Sequence, residues 1–136
     1  MLFRREAPLD GRVQGTTRFV AEFQRGSPRD SHGRSLWELQ LTTRLFRYPC
    51  SYLVYSPAFD GLPQEMREYL WMRLEQILNG REPNEPYASM AESDRAAVLQ
   101  ILRDTKPEFK EWLANHRSVQ GRRLSTGNYP ESRMAN

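Results

Sequence analysis

The sequence predicts a small all-α domain, a bundle of four to six short helices with flexible termini. Three observations predict it. Apolar residues recur at three- and four-residue spacing in several separate stretches, the pattern of helices with one buried face. The one run with high β propensity, Ser51-Tyr52-Leu53-Val54-Tyr55, has no second run of its quality to pair with. At 136 residues the chain is one domain long and buries an ordinary core, so neither disulfides nor metal are needed to hold it.

Residues 1–15, charged and punctuated by Pro8 and Gly11, read as a flexible N-terminal arm, and residues 16–116 as the helical domain. Thr16 or Thr17 suits the N-cap of a first helix with Phe19, Val20 and Phe23 on one face, and Gly26 ends it. Residues 27–34, rich in Ser, Arg and Asp, read as a solvated polar loop. Ser35 then caps a second amphipathic run in which Trp37, Leu41, Leu45 and Tyr48 recur at helical spacing, ending near Arg47 because Tyr48 precedes a proline.

Pro49 suits the first position of a further helix with Cys50, Leu53 and Val54 inward; the alternative over 51–55 is a strand. Ser56-Pro57 breaks that element and 58–61 makes a turn. The clearest helix covers 63–79. Pro63 stands at its start, Glu65 and Glu68 complement its dipole, and Met66, Leu70, Leu74 and Ile77 form its stripe. Asn79-Gly80 stops it and 81–86 is a connector rich in proline.

Ser89, with Ser93 as a rival cap, opens a helix through Ala97, Val98, Ile101 and Leu102 that ends near Asp104. Pro107 opens a short last helix carrying Phe109, Trp112 and Leu113. Residues 117–136 read as a flexible basic tail. The expected core is Trp37, Leu41, Leu45, Leu53, Leu70, Leu74, Ile77, Leu99, Leu102 and Trp112.

Composition excludes several classes. There is no membrane-length apolar run, no secretory leader at the start of the given chain, and no collagen-like or disulfide-scaffold pattern. Cys50 is the single cysteine, so neither an internal disulfide nor a multi-cysteine metal site can form; no cofactor and no metal are expected. Charge is unevenly spread. Residues 1–50 hold nine Arg against five carboxylates, 51–115 seven bases against eleven, and 116–136 four Arg against one. Basic ends flank an acidic middle. That middle argues against nucleic-acid binding, which needs its cations on one face.

Cys50 is the thiol candidate for a small enzyme or redox-sensing domain, with His32 or His116 as the base such chemistry requires. Its neighbours Tyr48 and Tyr52 suit a packed, inert thiol instead. No residue is assigned a catalytic role. Trp71 lies off the stripe of its helix, beside Met72, and is expected on a partly exposed second face. With Tyr48, Tyr52, Arg44 and Arg47 it forms the candidate contact set, since Trp, Tyr, Met and Arg are the residues enriched at interfaces.

Gly33-Arg34-Ser35-Leu36, the run from Thr43 to Asp60 (Thr-Arg-Leu-Phe-Arg-Tyr-Pro-Cys-Ser-Tyr-Leu-Val-Tyr-Ser-Pro-Ala-Phe-Asp) and Leu62-Pro63 form one block of motifs. Asp94-Arg95 and Ile101-Leu102-Arg103-Asp104-Thr105-Lys106-Pro107 form a second. Across residues 15–113 these resemble a segment near the C-terminus of large uncharacterised bacterial proteins. The resemblance implies an envelope-associated context, with haem-binding portions upstream in some members. It also implies that Met1 is a start inside a longer frame. No activity attaches to that segment, so no functional residue is carried over.

The expectation for function is a non-catalytic helical interaction module that binds a protein partner or itself. The thiol-dependent domain and nucleic-acid binding through the basic ends are the alternatives. The chain as it stands is expected in the cytoplasm, or at the envelope if it belongs to a longer protein.

Overall fold

A computed structural model describes residues 17–42, 44–84, 87, 88 and 90–125, the side chains of 17 and 119–125 excepted. The described residues form five α-helices and one 3-10 turn: α1 (Thr17–Gln24), the 3-10 turn Tyr52–Tyr55, α2 (Pro57–Asp60), α3 (Gln64–Leu78), α4 (Glu92–Thr105) and α5 (Pro107–Ser125). No strand occurs among them; a lone antiparallel bridge joins Leu39 to Phe46. The all-α class read from periodicity is the observed one.

Helices α3, α4 and α5 pack on one another and carry most of the core. Trp71, Leu74, Ile77 and Leu78 of α3 meet Val98, Ile101 and Leu102 of α4 and Phe109 and Leu113 of α5, all nearly inaccessible to water. Gly80 closes α3 with φ +70°, a conformation that carries no steric cost without a Cβ. It lets the Arg81 N–H reach back to the Gln76 carbonyl at 2.8 Å. Ser56 caps α2, accepting from the Phe59 N–H, and α2 delivers Phe59 against Trp71 with ring centroids 5.0 Å apart. The stretch expected as a plain turn over 58–61 is therefore a helical turn that supplies a core ring.

The largest departure is over 35–47, where no helix forms. Asp30, buried, accepts from the N–H groups of His32 and Arg34 and pairs with the Arg34 guanidinium at 2.7 Å. Burial pushes its carboxyl up, but those hydrogen bonds outweigh burial and hold it below the ordinary value. The loop 27–34 is thus built around a carboxylate and is not a freely solvated stretch. Ser35 is fully buried and its hydroxyl accepts from the Trp37 N–H at 3.2 Å, which turns the chain.

Beyond that turn, Gln40 N–H to Leu45 O and Arg47 N–H to Glu38 O close a hairpin-like ribbon that contains no regular strand. At its tip Leu41 has φ 57°, a left-handed conformation costly for a leucine. The ribbon turns Leu36 and Tyr48 inward, whereas Leu45 faces out. A helix over the same residues would have put Leu41 and Leu45 beside Trp37; in the fold Trp37 stacks on Tyr52 and Tyr55 instead.

Other expectations shift for similar reasons. The segment after Pro49 is a single 3-10 turn capped by Ser51, so the helical alternative holds in shortened form, with Val54 buried and Leu53 exposed. On α3 the inward stripe runs through Trp71, leaving Met66 at 49% exposure. Of the expected core, Leu74, Ile77 and Leu102 are buried. Trp37, Leu41, Leu70, Leu99 and Trp112 are half-buried, and Leu45 and Leu53 lie outside. Ser89 falls outside the described residues; α4 starts after Ala91, with Ser93 inside its first turn. Helix α5 continues to Ser125, so 117–125 is helical where a tail is expected, and 126–136 lies outside the described residues. The expected arm likewise lies outside them.

Candidate interaction surface

One concave region is lined almost entirely by apolar side chains. Helix α1 presents Phe19 and Phe23 on one face, their rings stacked at 6.1 Å. Phe23 meets Tyr52 edge-on at 5.7 Å and Phe46 at 6.4 Å, and Phe46 meets Tyr52 at 5.7 Å. Behind them, Trp37 stacks on Tyr52 and on Tyr55 at 5.2 Å each. The Tyr55 hydroxyl is tied to Thr105 of α4, whose own hydroxyl reaches the Ile101 carbonyl at 2.6 Å. Burial pushes the Tyr55 phenol up to about 12. The wall is thus a chain of rings anchored in the helical core.

In front of this wall Leu39, Leu45, Ser51 and Leu53 complete a cleft of about 420 Å³. Its lip is exposed: Phe19 at 58%, Leu53 at 56% and Leu45 at 42%. Large apolar side chains in one contiguous patch are unusual on a monomer surface and mark contact sites. Beside Phe46 on the ribbon, Arg47 is exposed and reaches Glu38 only at 3.8 Å, while Arg29 approaches the same carboxylate at 3.6 Å. Arg47 also lies over the Tyr48 ring, 5.5 Å from its centroid, so these charges gather around Tyr48.

A second concave region of about 550 Å³ lies between α3 and the 81–84 connector. Its cations are answered internally. Arg73 pairs with Glu82 at 2.6 Å and Arg81 with Glu75 at 3.2 Å. His116 at its edge stacks on Trp112 with centroids 4.6 Å apart.

The contact set read from sequence divides. Tyr52 is a wall of the cleft, whereas Arg47 is exposed and lies over the Tyr48 ring, outside the cleft lining. Arg44 is held by Asp94 of α4 at 3.1 Å and by the Arg47 carbonyl. Tyr48 is buried at 5% and its phenol is pushed up by burial. Trp71, expected on an exposed second face, is 1% exposed and sits between Phe59 and Phe109, with its Nε1 lacking a hydrogen-bond partner. Trp71 and Tyr48 are therefore core residues, because α2 and α5 supply rings on the side of α3 that a single-helix view leaves open. Phe19, Leu45 and Leu53 were missed as contact residues. Their signal is the aromatic density around Tyr52, but the helix expected over 35–47 turns Leu45 inward and the helix expected after Pro49 turns Leu53 inward.

Cys50 is fully buried and desolvation pushes its thiol up to about 12, so the thiolate needed for nucleophilic chemistry is suppressed. Neither histidine lies against it. His32 Nδ1 is 3.3 Å from the Ser31 hydroxyl, which donates to Asp104 at 2.9 Å. Serine, histidine and carboxylate are together there, but in the wrong order for a triad. The serine proton goes to the carboxylate, and the imidazole is left without an orienting acid. The Ser31 N–H also donates to Asp104, which with Gln100 holds that carboxyl down to about 2. The arrangement fastens the loop to α4. Among the described residues no three His, Cys, Asp or Glu side chains gather as metal ligands, and no helix is long and apolar enough to cross a membrane.

No family model matches the chain, and neither a curated protein nor a solved structure is similar to it.

Proposed function

We propose that the chain is a non-catalytic helical interaction module whose contact surface is the cleft between α1, the 38–47 ribbon and the Tyr52–Tyr55 turn. The exposed apolar lip of that cleft carries the reading. Phe19, Leu45 and Leu53 remain exposed although the fold buries fifteen other hydrophobic residues. Rings anchored through Tyr55 and Trp37 give a rigid wall, the kind of surface that takes an amphipathic segment by its apolar anchors. The resemblance of residues 15–113 to the C-terminal segment of larger bacterial proteins is the ground for proposing that the module serves as one part of a longer protein.

A thiol-dependent activity finds little support in a buried Cys50, and the excess of carboxylates over 51–115 disfavours a nucleic-acid face. Peptide selection against the folded chain tests the module. Peptides with spaced apolar anchors are expected to bind, and to lose binding to the Leu53→Asp variant. Failure to enrich any peptide, or equal binding to the variant, removes the cleft as the contact surface.

A further inference from the structure

The side chains lining the cleft beside α1 are all uncharged, and only Ser51 and Tyr52 among them carry a hydroxyl. Such a surface selects its occupant by apolar anchors and not by charge. Two lining residues of the ribbon, Leu45 and Phe46, also interact with residues outside the described ones. The front wall is therefore already engaged, and it is this chain that engages it.

Thr43, in the ribbon itself, is too small and polar to fill an apolar cleft. The two long stretches outside the described residues are 1–16 and 126–136. The first is favoured on two counts. It enters the fold at Thr17, two residues before Phe19 on the cleft lip. It also opens with Met1-Leu2-Phe3, whereas 126–136 holds no three apolar residues in a row. Thirteen residues separate Phe3 from Thr17, with Gly11 and Gly15 among them to turn the chain back. A relaxed chain of that length spans roughly 20 Å. Helix α1, at eight residues, is only about 12 Å long, so the start of the chain reaches the cleft without being stretched.

We propose that Leu2 and Phe3 of this chain occupy its own cleft, between Phe19, Phe46 and Leu53, and that a partner has to displace them. The displacement rests on the module reading above; the occupancy does not. The tether supplies the affinity that two apolar side chains lack. At an effective concentration of about 1 mM, a segment whose free-peptide Kd is about 0.1 mM fills the cleft about nine-tenths of the time and weakens a competitor about tenfold.

Methyl NMR on the full chain reads the cleft directly. Phe3→Asp is expected to shift the Leu45 and Leu53 methyl resonances and to leave those of the core residues Leu74 and Leu102 in place. A synthetic peptide of residues 1–9 is expected to bind the Phe3→Asp protein about tenfold more tightly than the wild type, because the wild-type cleft is filled in cis. Adding Leu53→Asp is expected to abolish that binding. Phe3→Ala and Phe19→Asp stand in for the two variants if circular dichroism shows helix lost. Unmoved Leu45 and Leu53 methyls, a peptide that binds neither protein, or one that binds both equally, overturns the proposal. Peptides selected against the folded chain separate it from the module reading. If they bind wild type and Phe3→Asp equally, the occupancy falls and the module stands. If the methyls shift and the 1–9 peptide binds but selection enriches nothing, the occupancy stands, and displacement falls together with the module reading.

Discussion

Arg44, in the ribbon, reaches Asp94 in the first turn of α4, fifty residues away, with Nη1 3.1 Å from Oδ2. The same guanidinium holds the Arg47 carbonyl, so one side chain ties both the ribbon and its exit to the helical core. Asp94 is favoured at that position by the helix dipole, which gives Arg44 a fixed anion to close upon. The cleft owes its front wall to this link, because Leu45 and Phe46 are the next residues along the chain.

Breaking the link loosens the ribbon more than the bundle. Both side chains are partly buried, and a double-mutant cycle with Arg44→Ala and Asp94→Ala is expected to give a coupling of about 0.5–1 kcal/mol. Amide exchange is expected to quicken over 38–47 and to stay slow in α3. Uniform loss of protection across all helices would show that the ribbon is not a separate unit.

Trp71 is the ring around which α2, α3 and α5 close. Trp71→Ala is expected to cost about 3–5 kcal/mol in urea unfolding, the range for a buried aromatic. Trp71→Phe is expected to cost much less, because the lost indole N–H has no partner to leave unpaired. Equal losses for the two variants would mean that the indole nitrogen is bonded in solution.

Cys50 and Tyr55 set the alkaline limit. Their ordinary values are 9.0 and 10.0, and burial pushes both to about 12 in the fold. The native state keeps protons that the unfolded chain releases. Their contribution is therefore complete below about pH 9 and is lost as pH rises toward 12. Stability measured across that window should fall, and Cys50→Ala should flatten the first part of the slope. At neutral pH the thiol should react slowly with a disulfide reagent in the native protein and quickly in denaturant. Rapid native reaction would contradict its burial.

Asp104 acts in the opposite direction. Hydrogen bonds from the Ser31 N–H, Gln100 and the Ser31 hydroxyl lower its carboxyl from 3.8 to about 2. The latch is complete above about pH 4 and is lost as pH falls toward 2. An NMR titration of the Asp104 carboxyl should show this, and Ser31→Ala should move the value part of the way back. An unchanged titration in the variant would leave the Ser31 N–H and Gln100 as the cause.

The elements that were legible are those whose evidence is local. Helix α3 was read as 63–79 and runs Gln64–Leu78, because a proline opens it, a glycine closes it and apolar residues mark the turns between. Helix α4 and the start of α5 were read for the same reason. Burial of Cys50 followed from its aromatic neighbours. The cleft was half legible. Phe19 and Phe23 were read on one face of α1, and Tyr52 was read as a contact residue, but the residues between them were assigned to a helix that does not form.

The helical class, most helix boundaries and the uneven charge follow from the amino-acid sequence alone, since each depends on residues within a few positions of one another or on a simple count. Contacts between distant segments set which way each helix is rotated, where α5 ends, and that 35–47 becomes a ribbon. Trp71 faces inward because Phe59 and Phe109 meet it there, and nothing within α3 names those partners. The ribbon persists although Leu41 sits at an unfavourable φ, because Asp94 and Asp104 of α4 grip its base through Arg44 and the preceding loop through Ser31. Those contacts span fifty and seventy-three residues. Helical periodicity, which compares a residue with its neighbours three and four positions away, carries no information about them.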